Sequence, residues 1–341
     1  MSARAVPGRL RFALLTTSLA ALLVAGALAS LALGSVRIPV GDVVAALTGG
    51  AEPGPFTTIV RDVRLPRVLL AAVVGAGLAV VGTVLQALVR NPLADPFLLG
   101  ISSGASTGAV LVVVFGVGTL TMNAGAFAGS LCALVAVYAM ARRGGVLTTG
   151  RLVLAGVAIQ YILSALTSLV LVTSSKTEHL REILFWTLGG LGGARWNSLP
   201  LPAVAMLLGL VALMALARPL DLLLAGEESA TVMGLDTGRF RAAVFLLASL
   251  VTAVLVAVSG AIGFVGLMVP HAARMVIGAG HRALLPVSAL GGAAFLVLAD
   301  LASRTVAAPE EIPVGVLTAL TGGPFFLWLL RRSQRTEGVP S

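Results

Sequence analysis

Two adjacent carboxylates, Glu227 and Glu228, sit in a short polar island, Leu224-Ala-Gly-Glu-Glu-Ser-Ala-Thr-Val-Met-Gly-Leu235, set among long apolar runs. A helix starting there places its acids at the positive end of the dipole and offers Met233 and Leu235 as an apolar face. Such a helix is too short to hold alone, so it has to lie against something else. That is docking chemistry, not catalysis. The plainer alternative is an ordinary loop with one turn of helix. The only lysine, Lys176, follows Ser174 and Ser175, and no Gly-x-x-x-x-Gly-Lys-Ser/Thr sequence exists. Any ATP that powers this protein is therefore bound by another polypeptide. No Ser/His/Asp or His/Glu constellation falls on facing segments, so no catalytic residue and no metal ligand is assigned.

The elements that position the island follow from composition. Hydrophobic residues make up 58% of the 341 and charged residues 11%, more apolar surface than a soluble core of this size can bury. The expectation is an all-α, polytopic membrane protein with about ten transmembrane helices of roughly 20 residues each, as a single domain over 1–341. The runs do not alternate, which excludes a β-barrel. The ten are Phe12–Leu33, Val68–Val89, Phe97–Phe115, Met122–Met140, Leu152–Thr173, Pro200–Ala217, Ala242–Val258, Ile262–Ile277, Leu284–Leu301 and Val314–Leu330. Pro39, Pro53, Pro55 and Pro66 are expected to bar a long helix before Arg67, and Pro270 with His271 to break the eighth span. Residues 174–199 read as an exterior loop with a short helix over Leu180–Leu191, and 218–241 as a cytoplasmic segment. Cys132, alone of its kind, reads as a small buried hydrophobe. Gly75, Gly77 and the glycines of 260–266 read as packing faces.

Charge sets the orientation. With both termini cytoplasmic, fifteen of the 23 Lys and Arg residues lie inside and eight outside, as the positive-inside rule requires. The basic balance is thus topogenic, and no arginine run carries the interleaved aromatics of a nucleic-acid site. Asp300 is the only acid within a span, which argues against an ion-coupled carrier. A carrier of that kind and a non-transport scaffold stay as alternatives.

Arg64-Leu-Pro-Arg67, Arg90-Asn-Pro-Leu-Ala-Asp-Pro96, Leu99-Gly-Ile-Ser-Ser-Gly-Ala105, Leu154-Ala-Gly-Val157, Gly226-Glu-Glu-Ser-Ala230, Gly260-Ala-Ile-Gly-Phe-Val-Gly-Leu267 with Pro270-His271, and Pro313-Val-Gly315 occur in this order. Together they resemble the FecCD-type permeases, the membrane subunits of type II ABC importers for iron-siderophores, haem and cobalamin. The resemblance covers nearly the whole chain. It implies a multi-pass protein of the bacterial inner membrane, paired with a second permease subunit in the lipid bilayer. It also implies two ATP-binding cassette ATPases inside, carrying the ATP and Mg that this chain lacks, and an extracytoplasmic substrate-binding protein. Nucleic acid is not among the partners.

The resemblance also implies roles for particular residues. Gly226, Glu227, Glu228, Ser229, Ala230 and Gly234 match the coupling helix that docks in the ATPase. Ser229 stands where the broader importer motif has alanine. Arg64, Arg67 and Arg304 match the sockets for acidic residues of the binding protein. Arg64 and Arg67, three apart, are expected to present both guanidinium groups to one side. The cytoplasmic gate of the family, a Thr-Ser pair, falls on Thr149 and Gly150. Gly150 brings no side chain, and Thr148 with Thr149 serve equally well as a cap for the following helix. Ferric siderophores, bulky and anionic or neutral, are the first expectation for cargo, with haem or cobalamin as the alternative. For haem, His179 and Arg181 before Phe185 and Trp186 offer the outer-mouth ligands.

Overall fold

The computed structural model describes residues 8–50, 52–116, 121–143, 146–174 and 180–337. Among the described residues the regular structure is helical apart from a two-residue antiparallel hairpin pairing Arg142–Arg143 with Val146–Leu147. The helices are α1 (Gly8–Ala32), α2 (Val40–Thr48), α3 (Pro55–Thr58), α4 (Leu65–Val89), α5 (Ile101–Phe115), α6 (Met122–Ala141), α7 (Thr149–Thr173) and α8 (Leu180–Thr187). They are followed by α9 (Pro200–Ala215), α10 (Ala217–Ala225), α11 (Glu227–Val232), α12 (Thr237–Ser259), α13 (Val265–Ile277), α14 (His281–Thr305) and α15 (Val314–Glu337). Among the described residues, seven helices are long and apolar enough to cross a membrane, and α5, α13 and the apolar part of α15 are shorter. The short helix of the 174–199 loop ends at Thr187, where Gly189 adopts a left-handed φ of 82°.

Two expectations about proline are corrected. Helix runs unbroken from Pro55 to Val89, because a π-helical turn over Ile59–Arg64 re-registers the hydrogen bonds just where Pro66 withholds its N–H. Pro270 lies inside α13 and does not break it. The carbonyl that Pro270 leaves unbonded, Gly266 O, accepts instead from Gln86 Nε2 of α4 at 3.3 Å. Cys132 is also corrected: α6 meets α5 through Gly125 and Gly129, and Cys132 is exposed.

Helix α4 is the axis of the molecule, with α9, α12, α13 and α14 packed around it and α1 outside α14. Helices α5, α6 and α7 form a second group, joined to the first through α12. Lipid offers no hydrophobic gain for helix association, so close backbone approach has to supply it. A Cβ on Gly75 would overlap the Gly292 carbonyl of α14, one on Gly82 the Gly266 carbonyl of α13, and those on Gly104 and Gly108 the Gly129 and Gly125 carbonyls of α6. Glycine is therefore obligatory at these four crossings.

Candidate functional site

The polar island folds as its composition directs. Glu227 and Glu228 occupy the first turn of α11, and its C-terminus closes on Gly234 at φ 85°, with Gly234 N donating to Thr231 O (2.9 Å) and Leu235 N to Ala230 O (3.0 Å). Those two bonds satisfy carbonyls that a helix end leaves free. Ala230 is fully buried, whereas Glu228 and Ser229 are exposed. Gly226 precedes the helix at φ 132°, a conformation that side chains resist. Glu227 pairs with Arg241 of α12, which is itself buried, and Arg90 Nη2 donates to Leu223 O at the end of α10 (3.0 Å). The island is thus tied directly to α12 and α4. Val232 and Met233 are 88% and 66% exposed, apolar surface facing out of the protein beside the acids.

At the other end of the same helices, the three predicted arginines come together but turn inward. Arg64, Arg67 and Arg304 retain 6%, 9% and 5% of their surface. Arg67 Nε bonds Asp300 Oδ1 (2.9 Å) and its Nη1 bonds Glu311 (3.0 Å), while Arg304 Nε holds Asp300 Oδ2 (3.1 Å). Arg64 Nη1 donates to Leu31 O (2.6 Å) and Arg304 Nη2 to Ser30 O (3.2 Å), carbonyls of the last turn of α1. The expectation of two guanidinium groups facing one way is corrected: Arg64 caps α1 and Arg67 reaches α14. The orphan carbonyls of a helix end require donors, and a buried Asp300 requires cations.

Beside Arg67 and Glu311 lies a cavity of about 270 Å³, walled by Phe185, Trp186, Gly190 and Pro313 among others. Gly189, which precedes the lining residue Gly190, belongs to a three-glycine junction. A Cβ on Gly189 would strike Ala261 O, one on Gly260 the Trp186 carbonyl, and one on Gly315 the Leu188 carbonyl. This junction holds α8 against the gap between α12 and α13. Gly260 and Gly315 stand in motifs visible in the sequence; their partner Gly189 carried no such signal.

Helices α5 and α7 part around a groove of about 330 Å³ bounded by Ser102, Ser103, Ser106, Gln160, Ser164 and Thr167, with Phe97 and Ala261 also lining it. Thr107 and Thr167 join their hydroxyls across its wall at 2.8 Å. No charged side chain lines it among the described residues. Scattered serines and threonines carry little pattern in an apolar sequence, and only the pairing of α5 with α7 gathers them. Both residues lie at helix breaks: Phe97 is in the 3₁₀ turn Pro96–Leu99, and Ala261 is in the non-helical stretch before α13.

Asp95 links the two breaks. Its Oδ1 accepts from Phe97 N (2.8 Å), and its carboxylate also takes the N–H of Phe264, a residue at φ 67°. Burial pushes the Asp95 carboxyl up to about 6 against the opposing pull of both N–H donors.

Of the remaining predicted positions, Gly150 is exposed with open space where a side chain would be. Thr149 begins α7, and its side chain, like that of Arg181, lies outside what is described. His179 and Lys176 lie outside the described residues.

Residues 22–332 match the FecCD transport family. The chain is 48% identical over 280 residues to the cobalamin import system permease protein BtuC of Halobacterium salinarum, covering 82% of this chain and 75% of that one. It is 46% identical over 279 residues to the hemin transport system permease protein HmuU of Yersinia pestis, covering 80% and 83%. Among solved structures, an inward-facing metal-chelate type ABC transporter superposes with a TM-score of 0.83 at 34% identity, over 93% of this chain and 98% of that one.

Proposed function

The chain belongs to the FecCD transport family and is an ABC importer permease, and from that premise we propose that the α5–α7 groove is the path its cargo takes. The observation that carries this is the meeting of two broken helices at one hydroxyl-lined groove. Discontinuous helices in a bilayer are tolerated where they border a cavity or a substrate path. As cargo we propose a large, metal-centred organic complex, with cobalamin first. Its many neutral amides suit hydroxyls and Gln160, whereas the carboxylates of haem call for a cation that the described lining lacks. The names of the relatives support cobalamin and haem alongside the ferric siderophores first expected.

In this reading α11 is the coupling helix. Val232, Met233 and Glu228 face an ATP-binding cassette subunit, and the Glu227–Arg241 pair passes its movement to α12. A substrate-binding protein docks on the outer face. Of the three arginines there, Arg67 serves most directly, since it shares Nη1 with Glu311, whose side chain is 41% exposed. A second permease subunit completes the passage. The gate lies at the head of α7, where Gly150 leaves the closure to Thr149.

The test is uptake into vesicles holding the chain with its ATPase and binding protein. ATP-dependent entry of cyanocobalamin, reduced at least tenfold by Ser106→Leu with Ser164→Leu, is expected. Entry of haemin or ferrichrome without cobalamin would overturn the cargo assignment. Full uptake by the double variant would overturn the path.

A further inference from the structure

Helix α10 has nine residues, too few to hold its shape alone, and it packs on α4 and α14 while leading directly into α11. Its Ala217, Leu220 and Leu223, spaced three apart, are buried, and the two leucines share one apolar cluster with Leu88 of α4, Val244 of α12 and Leu285 of α14. Apolar contact has no direction and lets a short helix slide. Two polar joints fix it. Leu223 O accepts from Arg90 Nη2, at the end of α4 (3.0 Å). Asp221 Oδ1 accepts from the backbone N (2.9 Å) and the ring Nδ1 (2.6 Å) of His281, the first residue of α14. Gly280 brings no side chain to the N–H groups that the start of α14 leaves free, so a carboxylate from α10 caps that helix at the positive end of its dipole. His281 is fully buried and its Nε2 has no partner among the described residues, which leaves Asp221 as the anchor of the ring.

The two helices that α10 grips form one body. Helices α4 and α14 run antiparallel and cross where Gly75 and Gly292 each set a carbonyl in the place that a Cβ on the other would take, and Arg67 bonds Asp300 further along both (2.9 Å). From His281 to Asp300 the helix rises about 28 Å, at about 1.5 Å per residue. We propose that Asp221 is a positioning residue for energy coupling: by holding His281 it makes α10 part of the α4–α14 body, so that a displacement of α11 reaches both helices together. The proposal rests on the reading of α11 as the coupling helix, from which Gly226 alone separates α10. It is a route apart from the Glu227–Arg241 pair, which leads to α12. Without Asp221, α10 keeps its apolar seat and the bond from Arg90 but two donors of His281 lose their acceptor. A push on α11 then shifts α10 alone, and ATP is hydrolysed without the permease following.

The experiment uses the complete importer in vesicles, the chain with its ATPase and binding protein, and reads cargo imported per ATP hydrolysed. The cargo is cyanocobalamin or haemin, whichever the wild type takes up. Asp221→Ala should keep ATPase copurification and hydrolysis within about twofold of wild type while cargo per ATP falls about tenfold or more. Asp221→Asn keeps Oδ1 as an acceptor and should return the ratio to within about threefold of wild type. Met233→Asp separates the two readings. Full ATPase copurification with that variant overturns the coupling role of α11 and this proposal with it, whereas lost copurification there beside a wild-type ratio in Asp221→Ala overturns the role of Asp221 alone. Since Asp221→Ala also uncaps α14, a second measurement compares one molecule with itself. Asp221→Cys with His281→Cys, in a chain carrying Cys132→Ala, should import little per ATP when reduced and regain about fivefold or more once the disulfide ties α10 to α14. A ratio indifferent to closing the disulfide overturns the proposal, as does Asp221→Asn proving no better than Asp221→Ala.

Discussion

Asp300 has no exposed surface and accepts from two guanidinium groups, so neutralising it takes a charged acceptor from both and leaves Arg304 without a carboxylate. Breaking a buried pair from one side costs about 3–5 kcal/mol, and Asp300→Asn should lower the melting midpoint in detergent accordingly. A midpoint unchanged by that substitution would show that the arginines find other acceptors. Asp95 makes a different prediction. Its pKa is raised above that of the unfolded chain, so its neutral form is the one the fold favours. Its contribution to stability is complete below pH about 4 and is lost as pH rises through about 6. Wild type should lose on the order of 2 kcal/mol relative to Asp95→Asn between those limits, read as the difference between their pH–melting curves. Parallel curves would refute the raised pKa. The sequence announces that Asp300 is unusual, as the lone acid within a span, yet not which cations meet it. Arg67 lies 233 residues away, and no local pattern records that distance.

Among the elements, long apolar runs are legible because a bilayer demands length and composition, and both can be read directly from residues. Their ends are less so. Helix from Pro55 through Pro66 depends on a π-helical turn, and helix through Pro270 depends on Gln86 from another segment. Both are tertiary repairs of a local fault. The island at 226–234 was legible as a short acid-led helix, but α10 before it was not, since its nine residues read as loop. Structure also changes how the coupling role is tested. A bulky residue at Gly234 would strain a left-handed φ of 85° as well as obstruct a partner. Met233→Asp avoids that fault, because Met233 is exposed and adopts an ordinary conformation. It should reduce ATPase copurification at least tenfold while leaving the melting midpoint of the isolated chain within about 0.5 kcal/mol of wild type. Undiminished copurification would remove Met233 from the interface.

For the whole molecule, the chain is an ABC importer permease whose sequence holds no phosphate loop, and the purified chain should hydrolyse no ATP above background at any magnesium concentration. Hydrolysis by a verified single-chain preparation would overturn the division of labour. Fold class was legible at this scale from composition alone; the meeting of α5, α7 and the two helix breaks was not, because it rests on glycine-to-glycine approaches between distant segments. The cluster around Asp300 has a consequence for biosynthesis. Arg64 and Arg67 enter with the start of α4, whereas Asp300 and Glu311 follow Arg67 by 233 and 244 residues. At 5–20 residues per second, roughly 10–50 s separate the two. Throughout that interval the nascent permease carries Arg67 without the two carboxylates that receive it in the finished fold, and the end of α1 without its donor from α14. A ribosome that stalls before α14 therefore leaves a chain whose Arg67 lacks both of its carboxylate partners.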